Sequence, residues 1–348
     1  MSEAESVVIK GGNKDKILPL EAEEKKPIKE EKNKAVILSN WIIKYAPIVY
    51  FHPDEKCFPI TVEEFLECTD VMNEKNEKFC DGKEILSGSF KDALGNQKFY
   101  LKITDTSVRE GNLNSAKCYV YVRKRNKGRY LDLQYFFFYG YNGPTINIHL
   151  NKNKKNYSTS NIGENYGNWE HVTVVIDSTD GSILGAIFDQ HGKSCFYDID
   201  QLEYEKGHIV VYSALSSHAS YPSAGKSVTE YDSQELGVPP VSVGIVKFEL
   251  HDATDKGRRW DTSLVCQLVS YNITGTEVEE PKWMAFNGRW GKPYDLTDKD
   301  ISILYQISRL PAGGKVVDSL LWRFIPYSKK NINQANGIKS KDDFNIII

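Results

Sequence analysis

No apolar run approaches the ~18 residues that a bilayer-spanning helix needs, and the opening residues, MSEAESVVIKGGNKDK, hold no signal-peptide core. These absences predict a cytoplasmic chain that meets a membrane, if at all, from its surface. Cysteine is sparse and scattered: Cys57, Cys68, Cys80, Cys118, Cys195 and Cys266 include no CxxC pair, which excludes zinc-finger and dithiol motifs and fits reduced thiols. Charge of one sign is missing too, with 44 basic against 47 acidic side chains and a net charge of −3, so no nucleic-acid partner is expected. The local basic runs from Arg123 to Arg129 and from Asn151 to Lys155 flank strand-like stretches and read as solvated hairpin tips. Catalytic signatures are absent as well. There is no GxSxG or HExxH, and Ser223-Ala-Gly-Lys-Ser227 fails as a phosphate-binding loop because Ser220 stands where its first glycine belongs. Ser213, Ser216, Ser217 and Ser220 crowd around His218, and serines in such a stretch serve turn hydrogen bonding.

What the sequence does contain is mostly strand. Residues 1–33 are rich in Lys and Glu and read as a disordered charged tail; residues 34–330 form a single β-rich domain, and 331–348 a loosely ordered C-terminal tail. Ala35 to Lys44 reads as a short apolar helix stopped before Pro47, and Ile48 to His52 as a buried strand. Strands then recur at Lys98–Ile103, Cys118–Val122, Tyr130–Tyr139, Ile183–Phe188, His208–Ser213, Val241–Leu250 and Leu264–Val269, separated by Gly, Asn, Asp and Ser. The pattern predicts an all-β fold, an antiparallel β-sandwich-type core with short decorating helices. Asp298 to Arg309, with Ile301, Leu304, Ile307 and Leu310 at helical spacing, predicts a late helix on its outside. Tyr135-Phe-Phe-Phe-Tyr139 is aromatic on both faces, as a central strand buried between layers should be.

The stretch Tyr166-Gly-Asn-Trp-Glu-His-Val-Thr-Val-Val-Ile-Asp177 raises the functional question. Period two puts Glu170 on one face with Val172, Val174 and Ile176, and His171 on the other with Thr173, Val175 and Asp177. A carboxylate on an apolar face needs a partner, because its burial alone costs several kcal/mol. The candidates are a divalent cation held with Asn168, or one of His171, His191 and His218. A Glu-His-Ser network that ties loops together without metal or catalysis is the competing arrangement. Aromatic side chains around the same loops, Tyr139, Tyr141, Tyr166 and Tyr221, are candidates to line a binding cleft with Trp169.

Tyr45-Ala-Pro-Ile-Val-Tyr-Phe-His-Pro-Asp-Glu55, Gln134-Tyr-Phe-Phe-Phe-Tyr139, Gly167-Asn-Trp-Glu-His171, Val211-Tyr-Ser-Ala214, His218-Ala-Ser-Tyr-Pro222, Trp283 and Gly288-Arg-Trp-Gly291 together resemble the vacuolar protein sorting-associated protein 62 family over roughly positions 45 to 295. That resemblance implies a non-enzymatic peripheral membrane or trafficking-associated protein, at vacuolar or endolysosomal membranes, whose partner is a membrane lipid or a trafficking protein. The order of the aromatic strand, the Trp-Glu strand and the His-containing turns is also similar to that in the necrosis- and ethylene-inducing cytolysins. Those are β-sandwich proteins that hold a divalent cation, calcium or magnesium, at a His-Arg-His-Asp-Trp-Glu motif. Trp169 and Glu170 match that motif, whereas Asn168 replaces its aspartate and Gly167 the preceding histidine. Two further functions follow as alternatives: a cytolysin-like lipid-recognising or pore-forming protein, and a hydrolase pairing Glu170 with His171 or His218.

Overall fold

The computed structural model describes residues 28–88, 90, 99–143, 146–152, 155–162, 164–190, 193–238, 241–272 and 278–291. At its centre lies a six-stranded sheet in the order Lys193–Asp198, Ile183–Gln190, Asn165–Asp177, Tyr130–Asn142, Cys118–Arg125, Cys266–Asn272. Neighbours run antiparallel except the last pair, which is parallel.

The aromatic strand explains why this sheet is central. On one face Tyr135, Phe137 and Tyr139 join Val172, Val174 and Ile176 and pack on Val49, Phe51, Val211 and Trp260 of a second, mixed sheet and on Leu38 and Ile42 of the first helix. On the other, Phe136 and Phe138 pack with Phe65, Leu101, Trp283, Phe286 and Trp290. All five residues from Tyr135 to Tyr139 are buried. Burial on both faces is why the strand reads as a continuous apolar run rather than as an alternation.

The mixed sheet has the order Tyr204–Glu205, His208–Ser213, Ile48–Phe51, Arg259–Asp261, with Ser220–Tyr221 paired to the end of His208–Ser213. Ile48–Phe51 and His208–Ser213 run parallel, so the sandwich is mostly, not wholly, antiparallel. A three-stranded sheet, Lys78–Asp81, Thr69–Met72 and Tyr100–Ile103, covers the opposite side of the core. A four-stranded antiparallel sheet continues from the central strands in the order Gly225–Val238, Val241–Thr254, Ile146–Lys152, Lys155–Ile162.

The first helix spans Ile28–Tyr45 and so begins inside the segment read as tail. Leu38, Ile42 and Tyr45 recur at helical spacing and are buried. The Tyr135 hydroxyl donates to the Ile42 carbonyl at 2.9 Å, satisfying an acceptor of the last turn. The short helix Val62–Glu67 carries a capping box between Thr61 and Glu64.

The basic run at 123–129 needs correction. Its tip, Asn126–Gly128, is a turn, but Arg123 and Arg125 donate to the fully buried Asp132 at 3.0 and 2.8 Å. Asp132 sits directly across from Arg123 in the strand register, so these two arginines are sheet residues rather than a solvated loop end. The expected late helix at 298–309 and the C-terminal tail lie outside the described residues.

Candidate functional site

Glu170 lies on the apolar face, as its period predicts. It stands opposite Phe137, with Asn168 opposite Tyr139, and is half-buried. Residues two apart on a strand share a face, and the Asn168 amide Nδ2 donates to Glu170 Oε1 at 2.6 Å. Gly167, just before, has φ +68°, and a Cβ there would lie 2.0 Å from the carbonyl oxygen of Trp290. Only glycine meets both demands. Gly167→Ala is therefore expected to cost about 2 kcal/mol or more, read as a lower urea midpoint at unchanged slope.

His171 does not meet Glu170. Adjacent strand residues point to opposite faces, so the imidazole stacks on Phe136, with centroids 4.9 Å apart, and its Nε2 lies 3.8 Å from Asp189 Oδ2. Trp169 shares that face and sits in an aromatic cluster with Phe138 at 4.6 Å, Tyr119 and Trp290 at 5.6 Å, and Trp283 at 5.7 Å. The acid-base pair expected of Glu170 and His171 is thus not formed. His191 lies outside the described residues.

His218 is fully buried and held on three sides. Its ring stacks on Tyr139, centroids 3.9 Å apart and planes 4° from parallel; Nδ1 is 2.6 Å from Asn142 Oδ1, and Nε2 is 3.3 Å from Glu55 Oε2. Its φ of 62°, and 69° at Ser216, put both residues in the left-handed region, a cost that surrounding contacts must offset. Glu55 supplies those contacts. It accepts the backbone N–H groups of Ser216 at 2.7 Å, Cys57 at 2.8 Å and Lys56 at 2.9 Å. Burial by itself raises the Glu55 pKa, but the hydrogen bond and charge of His218 and the Ser216 and Cys57 amides outweigh it and hold the carboxyl below its ordinary value. Asn142 Nδ2 donates to the Ser217 carbonyl at 2.7 Å and closes the network.

Tyr221 and Ser217 both donate to Asp252, each at 2.6 Å. Burial raises the phenol of Tyr221, and the hydrogen bond to Asp252 adds to that; the charge of Glu170 reaches it as well. Burial likewise raises Tyr139, opposed by the Ser213 hydroxyl and assisted by the charges of Glu170 and Glu55. The structure therefore brings Glu170, Asn168, Tyr139, Tyr221 and His218 to one end of the sandwich and sends Trp169 and His171 to the other face. Tyr141 and Tyr166 pair at 5.0 Å at the strand ends, with Arg109 beside them.

Glu55, Asn142 and Asp252 are functional neighbours that sequence reasoning missed. The Glu55 signal lay in the quoted stretch Tyr45 to Glu55, whose terminal carboxylate had no role there. Asn142 follows the aromatic strand and reads as a turn residue.

The described residues do not fit a calcium or magnesium ion. Among them no group of three or more His, Cys, Asp or Glu converges, whereas such ions take 6–8 oxygens or a near-octahedral set. The amide of Asn168 presents a donor, not an acceptor, to the Glu170 carboxylate. Wild-type protein is accordingly expected to melt at one temperature in calcium, magnesium or chelator; a rise with either metal would reveal a donor set that these residues do not form.

Solved structures with a loosely similar arrangement include one described as a toxin fold for microbial attack and plant defense, 13% identical, covering 66% of this chain and 72% of that one at a TM-score of 0.32. Another is Necrosis and Ethylene inducing Protein 2 from the causal agent of cocoa's Witches Broom disease, 16% identical, covering 53% and 67%, at a TM-score of 0.29. Superpositions this loose transfer no residue role. In sequence, the chain is 22% identical over 319 residues to the vacuolar protein sorting-associated protein 62 of Saccharomyces cerevisiae, across 77% of this chain and 62% of that protein's length. The yeast protein is thus considerably longer than the region shared. The family model for vacuolar protein sorting-associated protein 62 matches residues 32–343, and the chain belongs to that family.

Proposed function

We propose that the protein is a non-enzymatic, peripheral membrane protein of vacuolar or endolysosomal trafficking, acting from the cytoplasmic side. The vacuolar sorting name of its family supports the cellular setting. The observation that carries the non-enzymatic reading is that His171 turns to the face opposite Glu170 while His218 is already engaged by Glu55, Asn142 and Tyr139. General acid-base chemistry needs its partner within ~2.6–3.2 Å. Instead Glu170 bonds an amide, His171 is on the opposite face, and His218 is buried against Glu55, Asn142 and Tyr139. Glu55, His218 and the Ser216 backbone form a network that ties the loops together, which supports a structural rather than a catalytic role for this histidine. Among the described residues no helix is long and apolar enough to cross a membrane.

Fractionation of cells carrying a tagged full-length chain tests the reading. Recovery with vacuolar or endosomal membranes, released by high salt or alkaline carbonate, is expected. Recovery wholly in the soluble fraction, or a pellet that carbonate cannot extract, would overturn it.

A further inference from the structure

Arg109 closes the short turn Thr106–Arg109, which packs on the aromatic strand. Its guanidinium carbon lies 4.5 Å from the Tyr141 ring centre and 5.4 Å from that of Tyr166, and its Nε donates to the Tyr166 hydroxyl at 2.7 Å. Tyr141 in turn donates to Glu164 at 2.8 Å. The cation is therefore fixed by two rings and a phenol, none of which carries a full charge. Among the described residues its two terminal nitrogens take no hydrogen bond or ion pair. The residue is half-buried.

This arrangement differs from structural arginines of the same chain. Arg123 and Arg125 direct their terminal nitrogens to Asp132, and Arg259 bonds Glu205 and Asp261. Holding a long side chain still costs rotamer entropy, and at Arg109 the restraint leaves the terminal nitrogens without a hydrogen bond or ion pair among the described residues, with the charge of Glu164 acting on them from nearby. A planar guanidinium so held matches two oxygens of a phosphate. Glu164 is exposed and accepts from Tyr141 rather than from the guanidinium. Its charge disfavours a lone phosphate but suits a ligand that carries a cation beside its phosphate.

We propose that Arg109, Tyr141, Tyr166 and Glu164 form a receptor for a zwitterionic phosphate ester of the choline or ethanolamine class. The guanidinium takes the phosphate, Glu164 takes the ammonium, and the two tyrosines hold the guanidinium in place. Where the ester is a lipid head group, this rests on the peripheral-membrane reading; the site itself does not.

The test uses the full-length chain, soluble phosphocholine followed by tyrosine fluorescence and calorimetry, and co-sedimentation with phosphatidylcholine vesicles against phosphatidylglycerol vesicles. Saturable binding is expected, weakened about tenfold or more by Arg109→Gln and also weakened by Tyr166→Phe, which keeps the ring and frees the guanidinium. Arg109→Lys should not restore it, because an ammonium lacks the fork. Binding of both phosphocholine and phosphatidylcholine vesicles, lost in Arg109→Gln, supports the site with a lipid as its source. Binding of phosphocholine without vesicles supports the site with a free ester and counts against the peripheral reading. Vesicle binding that neither variant weakens overturns the site and leaves the peripheral reading standing. No saturable binding of either ligand overturns the proposal. If Arg109→Gln melts early, Tyr166→Phe alone decides.

Discussion

Phe137→Ala is expected to lower the stability of the protein by about 3–5 kcal/mol. The side chain is almost wholly buried, and its ring meets Trp260 edge-on at 5.6 Å across the gap between the central and mixed sheets. Truncation removes that contact and leaves a void whose walls come from two sheets and a helix. Such a site closes poorly, because its lining is fixed by hydrogen-bonded strands. Denaturant unfolding reads the loss as a lower midpoint with little change in slope. A variant as stable as wild type would mean that the layers are not packed on this strand.

Glu55→Gln is expected to be comparably damaging, at about 3 kcal/mol or more, because the buried groups lose their anionic acceptor while remaining buried. The carboxylate collects three backbone N–H groups and faces His218; an amide supplies one oxygen and turns a donor toward donors. The pH dependence gives a second readout. Folding lowers the Glu55 pKa, so the unfolded chain binds this proton more tightly than the folded one. The stabilisation is complete above the ordinary glutamate value of about 4.3 and is lost as pH falls through the folded-state value. Wild type should therefore lose melting temperature in that acid window, and Glu55→Gln, already destabilised at neutral pH, should show a shallower fall. Parallel wild-type and variant curves would place the carboxylate outside the network.

The strands with a clear apolar signature were legible from sequence. His208–Ser213 and the aromatic and Trp-Glu strands carry branched and aromatic residues whose period, or lack of one, reports which faces are buried. Lys155–Ile162, NYSTSN at its heart, and Gly225–Val238, with TEYDSQE, have no such period, and strand reading by apolar alternation passes over them. The face of Glu170 was legible because period two aligns it with Val172; the same period turns His171 away, so the pairing with His171 offered from the sequence does not form in the strand. What local pattern cannot supply is contact between distant segments. Glu55 reaches the Ser216 loop across 161 positions, through a parallel pairing of Ile48–Phe51 with His208–Ser213 that no hairpin signal announces. The role of Arg109 escaped for a related reason, since it becomes visible only when two strand ends deliver Tyr141 and Tyr166 to it.

On the proposed non-enzymatic reading, the end of the sandwich holds groups in place and turns no substrate over. The most direct test of that reading replaces the cell's own copy with Glu170→Gln, after the purified variant is shown to fold, and measures the fraction of the protein on vacuolar or endosomal membranes together with delivery of a vacuolar cargo. The account predicts both at wild-type levels, because an amide can still bond Asn168 and no proton transfer is required. A folded variant that reaches the membrane normally yet fails to support delivery would contradict it, and would point to chemistry at Glu170.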